Sequence, residues 1–295
     1  PFIKVQHQIN NKNSLSNNFT RSIVKDKNGN FWFGTKNGLS IWNRKNNSWK
    51  HIDKFSKKQK SQVIVLAIEA DKNNMWVGTY GYGLFKVDIN TLKVTDFYNQ
   101  LKDKDLIRKI YAIKKDSNDN IWIGGIEKDL ISIAPNNKIT KFPILHIKAI
   151  TETVDGSILA SGRNGIYNIN PVNNNFKIIE ELEPNKSSLA FSSIHTVQED
   201  NNKNLIIGSN GAGIIFYNKK TKTLKKLTVN SGLPSDIIQG ILIENDTTIW
   251  ASTTRGLVNV KMSKKDTLIN VYDKKDGLAS TEYNYGSSNK LDENL

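Results

Sequence analysis

The sequence predicts an all-β chain folded as a β-propeller, and three observations carry that prediction. A short motif returns about every 40 to 47 residues, a period that suits solenoids and propellers. Each copy reads as strands joined by tight turns, and no stretch has the 3.6-residue period of a helix. Four strand-like runs fit inside each repeat of about 44 residues, which is the grammar of one propeller blade.

The motif is clearest over residues 30–42, NFWFGTKNGLSIW, where two apolar runs flank a Lys-Asn-Gly turn. Further copies begin at Met75 (MWVGTYGYGLFKV), Ile121 (IWIGGIEKDLISI), Ile158 (ILASGRNGIYNI), Leu205 (LIIGSNGAGIIFY) and Ile249 (IWASTTRGLVNV). The fourth unit is the shortest, with Leu159 where others carry Trp, and the fifth has Ile206 there. In the third, Asp129 stands in place of the turn glycine.

Taken in order, residues 2–5 alternate like a single strand and a polar linker follows. The first full unit runs FTRSIVKD, turn, FWFGT, turn, LSIWN, turn, WKHI, and the next five units repeat that order. After the sixth, GLASTEYNYGSS reads as a linker and one inner strand, residues 282–286. Combining strands from both termini in one blade removes the unpaired edges that an open array leaves. The expectation is therefore a single domain, residues 1–295, of seven blades: six complete and an incomplete composite seventh. Closure with six blades is the alternative. The opening PFIKVQHQINNKNS reads as the middle of a longer chain.

Within each unit the repeated residues have structural work. The ring at Trp32, Trp76, Trp122 and Trp250 is expected to wedge neighbouring blades, removing about 200 Å² each from water. The glycine two residues on (Gly34, Gly78, Gly124, Gly208) lets an adjacent sheet approach closely. A following hydroxyl (Thr35, Thr79, Ser209, Thr253) can bond the turn. A second glycine (Gly38, Gly83, Gly165, Gly213, Gly256) suits the positive φ of that turn. Asp26, Asp71, Asp116 and Asp200 recur before turns and read as turn formers. Function is then sought where the copies differ.

Composition narrows the choice. The chain has a formal net charge of +14, 37% hydrophobic residues and no Cys, which removes disulfides and thiol chemistry. Only five of its basic residues are Arg (Arg21, Arg44, Arg108, Arg163, Arg255). Solvated lysine on outer edges accounts for the charge, since it also blocks edge-to-edge pairing; attraction of an anionic ligand is the other reading. No apolar run approaches the roughly 20 residues of a membrane helix. The four His are scattered without ligand spacing, so no metal is expected. Glycines join strand to strand, never strand to helix, so no phosphate-cradling loop or cofactor site is expected. No nucleic-acid module is recognisable.

Pattern and turns together resemble a known family. The motif D-x-x-G-x-φ-W-φ-G-T-x-x-G-L, best seen over residues 26–39, is similar to the two-component-regulator propeller repeat. Asp276-Gly277-Leu278 before Tyr283-Asn284 resembles the segment that leads into that family's last blade. The resemblance implies a periplasmic sensor region of a hybrid two-component system from Bacteroidetes-type bacteria. It also implies a membrane segment and a kinase or transcription module downstream, and a homodimer formed through the parent ectodomain.

With the chain starting each blade on its inner strand, the loops between blades share one face with the turns between second and third strands. That face is expected to carry Arg21, Lys36, Asn37, Tyr80, Tyr82, Arg108, Glu127, Lys128, Arg163, Asn164, His195, Asn210 and Arg255. Tyr80-Gly81-Tyr82 stands out, because a sugar ring can rest on an aromatic face while Arg, Lys and Asn bond its polar groups. Arg forks also suit sulfate or carboxylate. The expected ligand is an oligosaccharide, with an acidic one as a variant, and no catalytic residue is expected. Two other classes remain: a propeller enzyme such as a lyase, and a purely architectural dimerising propeller.

Overall fold

The computed structural model describes residues 2–57, 59–101, 106–183, 193–263, 266–286 and 288–289. The alternating apolar runs form 24 strands, arranged as six four-stranded antiparallel sheets, each a meander in chain order. By contacts the chain divides into an N-terminal unit, residues 5–147, and a C-terminal unit, residues 1–4 with 148–295.

Three sheets make up the N-terminal unit. The first holds β1 (Thr20–Lys25), β2 (Phe31–Thr35), β3 (Gly38–Asn43) and β4 (Ser48–Ile52). The second holds β5 (Val65–Asp71), β6 (Asn74–Thr79), β7 (Leu84–Asp88) and β8 (Val94–Asp96). The third holds β9 (Ile110–Lys115), β10 (Ile121–Gly125), β11 (Leu130–Ile133) and β12 (Ile139–Phe142).

The C-terminal unit holds the other three. Its first sheet has β13 (Ile150–Glu152), β14 (Ile158–Gly162), β15 (Gly165–Ile169) and β16 (Phe176–Ile178). Its second has β17 (Ser193–Glu199), β18 (Leu205–Asn210), β19 (Ile214–Asn218) and β20 (Thr223–Leu227). Its third has β21 (Ile238–Asn245), β22 (Thr248–Thr253), β23 (Gly256–Met262) and β24 (Thr267–Tyr272). The all-β class and the six complete four-stranded blades are as expected; the composite seventh blade is not seen among the described residues.

Within each unit the core lies between consecutive sheets, as half-buried strands require. Trp32 packs with Val24 and Ile41 of its own sheet and with Val65, Ile68, Met75 and Val77 of the next. Trp76 packs likewise with Ile110, Ile113, Ile121 and Ile123. In the C-terminal unit, Leu159 and Ile206 take that place, meeting Ile194 and Val197, and Ile238 and Ile241, respectively. The expected wedge is therefore present, and a branched aliphatic side chain can serve in it.

Close approach follows the glycines. A Cβ on Gly78 would lie 2.5 Å from Cγ2 of Ile110, and one on Gly124 would lie 2.1 Å from Cγ2 of Ile147. No side chain fits there without moving the residue that faces it. The repeated hydroxyl also behaves as expected. Thr35 Oγ1 accepts from Asn37 N at 3.0 Å and donates to the Gly38 carbonyl at 3.0 Å. Ser209 repeats both bonds in the fifth sheet, and Thr253 does so in the sixth.

Two expectations at the termini are corrected. Residues 2–5 and 282–286 form no strand, and no seventh sheet is present among the described residues. A strand needs a neighbouring ladder, and these segments make isolated contacts instead. Thr281 accepts from Gly256 N at 2.8 Å, and Gly286 N donates to Gln239 O at 3.3 Å. The ring of Phe2 meets that of Tyr272 edge-on, with 5.6 Å between centroids.

Candidate ligand-binding surface

In three blades the turn between second and third strands is bonded to the segment that leads into the following blade's first strand. In the N-terminal unit Gly38 N donates to Val63 O at 2.8 Å, and Gly81 and Gly83 N donate to Arg108 O at 2.9 and 3.2 Å. In the C-terminal unit Gly211 and Gly213 N donate to Asp236 O at 3.1 and 3.0 Å. These repeated bonds fix the turns as the frame from which unrepeated side chains project.

On the N-terminal unit the second turn is the most developed. Tyr80 is 44% exposed, the largest aromatic exposure on this turn, while the scaffold Trp76 four residues earlier is buried. Tyr80 pairs with Lys109 in an isolated bridge, and Lys109 Nζ sits 5.2 Å from the Tyr80 ring centroid. Lys109 also donates to Glu127 Oε1 at 2.5 Å, and that bond raises its pKa. Tyr82 OH meets Ser61 Oγ at 3.1 Å, and that hydroxyl lowers its pKa. Arg108 and Lys128 lie exposed on the same unit. Tyr80 and Glu127 thus meet at Lys109, forming an aromatic face with charges of both signs at its edge.

Other expected residues are placed differently. Asn37 Nδ2 donates to Ser16 O at 3.3 Å, which commits it to holding the preceding segment, and Lys36 beside it is exposed. Arg21 is buried in β1 at 8% exposure, its guanidinium 5.8 Å from the Tyr111 ring centroid. On the C-terminal unit, Arg163, Asn164 and Arg255 are exposed at turns, while Asn210 ends β18 in a bridge to Ile237. His195 is buried in β17 at 5% exposure.

Two features were not legible in the sequence. The first is Lys109, which joins Tyr80 to Glu127; its adjacency to Arg108 at the start of β9 was the available signal. The second is the work of the recurring acids. Asp26 Oδ2 accepts from Trp32 Nε1 at 2.8 Å and Asp116 Oδ2 from Trp122 Nε1 at 2.7 Å, while their Oδ1 atoms accept turn amides. Glu244 accepts from Trp250 at 2.8 Å in the same way. The acids form turns, as expected, and at the buried Trp32 and Trp122 they also satisfy an indole N–H that would otherwise lack a partner. Among the described residues no group of three or more His, Asp or Glu is placed to hold a metal ion.

Residues 14–37 match the family described as two component regulator propeller. The chain is 26% identical over 292 residues to histidine kinase P4 of Formosa agariphila, covering 93% of this chain and 21% of that protein. It therefore spans about a fifth of that relative's length. The extracellular domain of a putative hybrid two component system from B. thetaiotaomicron superposes with a TM-score of 0.74 at 17% identity, covering 95% of this chain and 36% of that one. PorZ of Porphyromonas gingivalis, a component of the type-IX secretion system, superposes with a TM-score of 0.62 at 15% identity, over 80% and 37% of the two chains. The fold these structures share is the β-propeller, and residues 14–37 of this chain match the two component regulator propeller repeat.

Proposed function

We propose that this chain is the extracytoplasmic, ligand-binding propeller of a two-component signalling protein, exposed to the periplasm and without catalytic activity of its own. An oligosaccharide, neutral or acidic, is the ligand, and a kinase or transcription module elsewhere in the protein is the output. The carrying observation is the Tyr80 turn. A scaffold that buries its repeated aromatic residues leaves this unrepeated one 44% exposed, with Lys109 on its ring and Glu127 and Arg108 nearby. Sugars are held by such pairing of an aromatic face with charged hydrogen-bonding groups. Differential affinity of the ligand for two arrangements of a homodimer biases the output.

The resemblance to the Formosa agariphila kinase and to the B. thetaiotaomicron extracellular domain supports the signalling context. The bonds from Gly256 to Thr281 and from Gly286 to Gln239 support a finer reading, in which residues 281–286 follow the path of a further blade's inner strand. Calorimetry of the whole chain against neutral, sulfated and uronate-containing oligosaccharides tests the proposal. Heat from one class, lost in Tyr80→Ala with the melting temperature unchanged, is the expected result. Silence across the panel, for this chain and for the longer protein, refutes it.

A further inference from the structure

One position in the repeat is neither scaffold nor exposed turn. In five sheets the ladder between first and second strands slips at its start, between Thr20 and Ser22, Val65 and Ala67, Ile194 and Thr196, Ile238 and Gly240, and opposite Gly124 and Gly125. The residue spanned by each slip is Arg21, Leu66, Tyr111, His195 or Gln239. In the remaining sheet the equivalent residue is Lys148. Ile147 before it packs on Gly124 as Val65 packs on Gly34 and Ile110 on Gly78. A bulge releases its residue from the alternation of the strand and re-aims the side chain. The residues before it are mostly Val or Ile, yet no two bulge residues are alike.

In the C-terminal unit two of these side chains, Lys148 and His195, meet each other and the segment after β24, and the Gln239 carbonyl is bonded to the same segment. His195 Nδ1 lies 3.0 Å from Ile238 O, so that nitrogen carries the hydrogen and Nε2 is left as an acceptor. Nε2 faces Lys148 Nζ at 3.5 Å, and Nζ also donates to Ser193 Oγ at 3.1 Å. The Tyr285 ring stacks on His195 with 4.9 Å between centroids, and Nζ lies 4.9 Å from the same ring's centroid. Gln239, about nine-tenths buried, has an Oε1 without a hydrogen-bond partner, and so does the buried Oγ of Ser252. A partnerless buried polar atom is costly, and a ligand that bonds to it removes that cost.

We propose that Lys148, His195 and Gln239, with Ser252 and Tyr285 beside them, bind a carboxylate that carries a neighbouring hydroxyl group. The ammonium supplies the charge-assisted bond. Gln239 Oε1 accepts from the ligand hydroxyl, and the Tyr285 ring forms a flat wall. The site rests on the ligand-binding reading above and deepens it, because such a carboxylate belongs either to a uronic acid or to a free hydroxy acid.

Titration calorimetry of the whole chain with glucuronate, lactate and glucose tests the site. Both acids, or one of them, bind and glucose does not; glucuronate alone identifies a sugar acid and lactate alone a free acid. Gln239→Glu preserves shape and places a carboxylate in the site, so it weakens acid binding by about tenfold or more. Lys148→Met abolishes it. If neither acid binds, or if Gln239→Glu and Lys148→Met leave binding intact, the site is refuted. Binding of a neutral oligosaccharide with no response to either acid refutes this site while leaving the sensing role standing.

Discussion

The N-terminal and C-terminal units are built from the same blade, yet they differ in charge and in how they hold their wedges. Residues 5–147 carry 24 Lys and Arg against 12 Asp and Glu, a net +12 of the chain's +14. The remaining residues contribute only +2. All three N-terminal blades use Trp at the wedge, two with a closely held Asp below it and Asp71 with a longer 3.3 Å bond. The C-terminal unit uses Leu159, Ile206 and Trp250. The difference teaches that the blade needs a filled space between sheets more than it needs an indole. Where the indole is absent, its carboxylate partner is reduced to a turn former.

That comparison breaks most directly at Trp122, which is 1% exposed and packs on Phe142 with 5.3 Å between ring centroids. Trp122→Ala should cost about 3–5 kcal/mol in urea unfolding, as large core truncations do. A loss under about 1 kcal/mol contradicts the wedge.

A smaller effect separates two acids in equivalent places. Asp116 holds Trp122 Nε1, Asn120 and two turn amides, while Asp200 holds only Asn204 and turn amides. Asp116→Ala should therefore destabilise by about 1–2 kcal/mol more than Asp200→Ala, since it leaves a buried indole N–H unpaired. Equal losses in matched denaturant titrations count against that role for the carboxylate.

The smallest effect belongs to the fourth blade, where Thr153 stands at the recurring acid's place and Asp155 two residues on takes over the turn. The Thr153 hydroxyl, donating at 2.6 Å, and the Ser157 amide pull its pKa down to about 2. A carboxyl with a depressed folded pKa adds stability above its unfolded value near 4 and loses it as pH falls through about 2. Asp155 is solvent-exposed, so the contribution is at most about 1 kcal/mol. Asp155→Asn should flatten the acid limb of the stability profile between about pH 4 and 2. An unchanged acid limb removes this contribution.

Much of the scaffold was readable because period-2 alternation and turn glycines act locally. The six blades, the glycines at sheet contacts and the turn hydroxyls all follow from residues within a few positions of one another. The terminal strands were misjudged for the complementary reason, because alternation in residues 2–5 says nothing about whether a partner strand is present. The candidate surface was only partly readable. Tyr80 announced itself as an aromatic residue in a turn, but its neighbour Lys109 is brought there by pairing between blades. Arg21 and His195 were expected at the rim with the turn residues, and both are buried at bulges instead. A bulge is a slip in register, invisible until two strands are aligned, so Lys148 and Gln239 gave no signal in the sequence.

The central claim is that repeated residues hold the blades and unrepeated ones do the recognising. It is tested most directly by measuring stability and oligosaccharide affinity side by side for Trp122→Phe and Tyr80→Ala in the whole chain. The account predicts that Trp122→Phe lowers stability and leaves affinity unchanged, while Tyr80→Ala does the reverse. Loss of affinity in Trp122→Phe at full stability, with Tyr80→Ala binding normally, would contradict it.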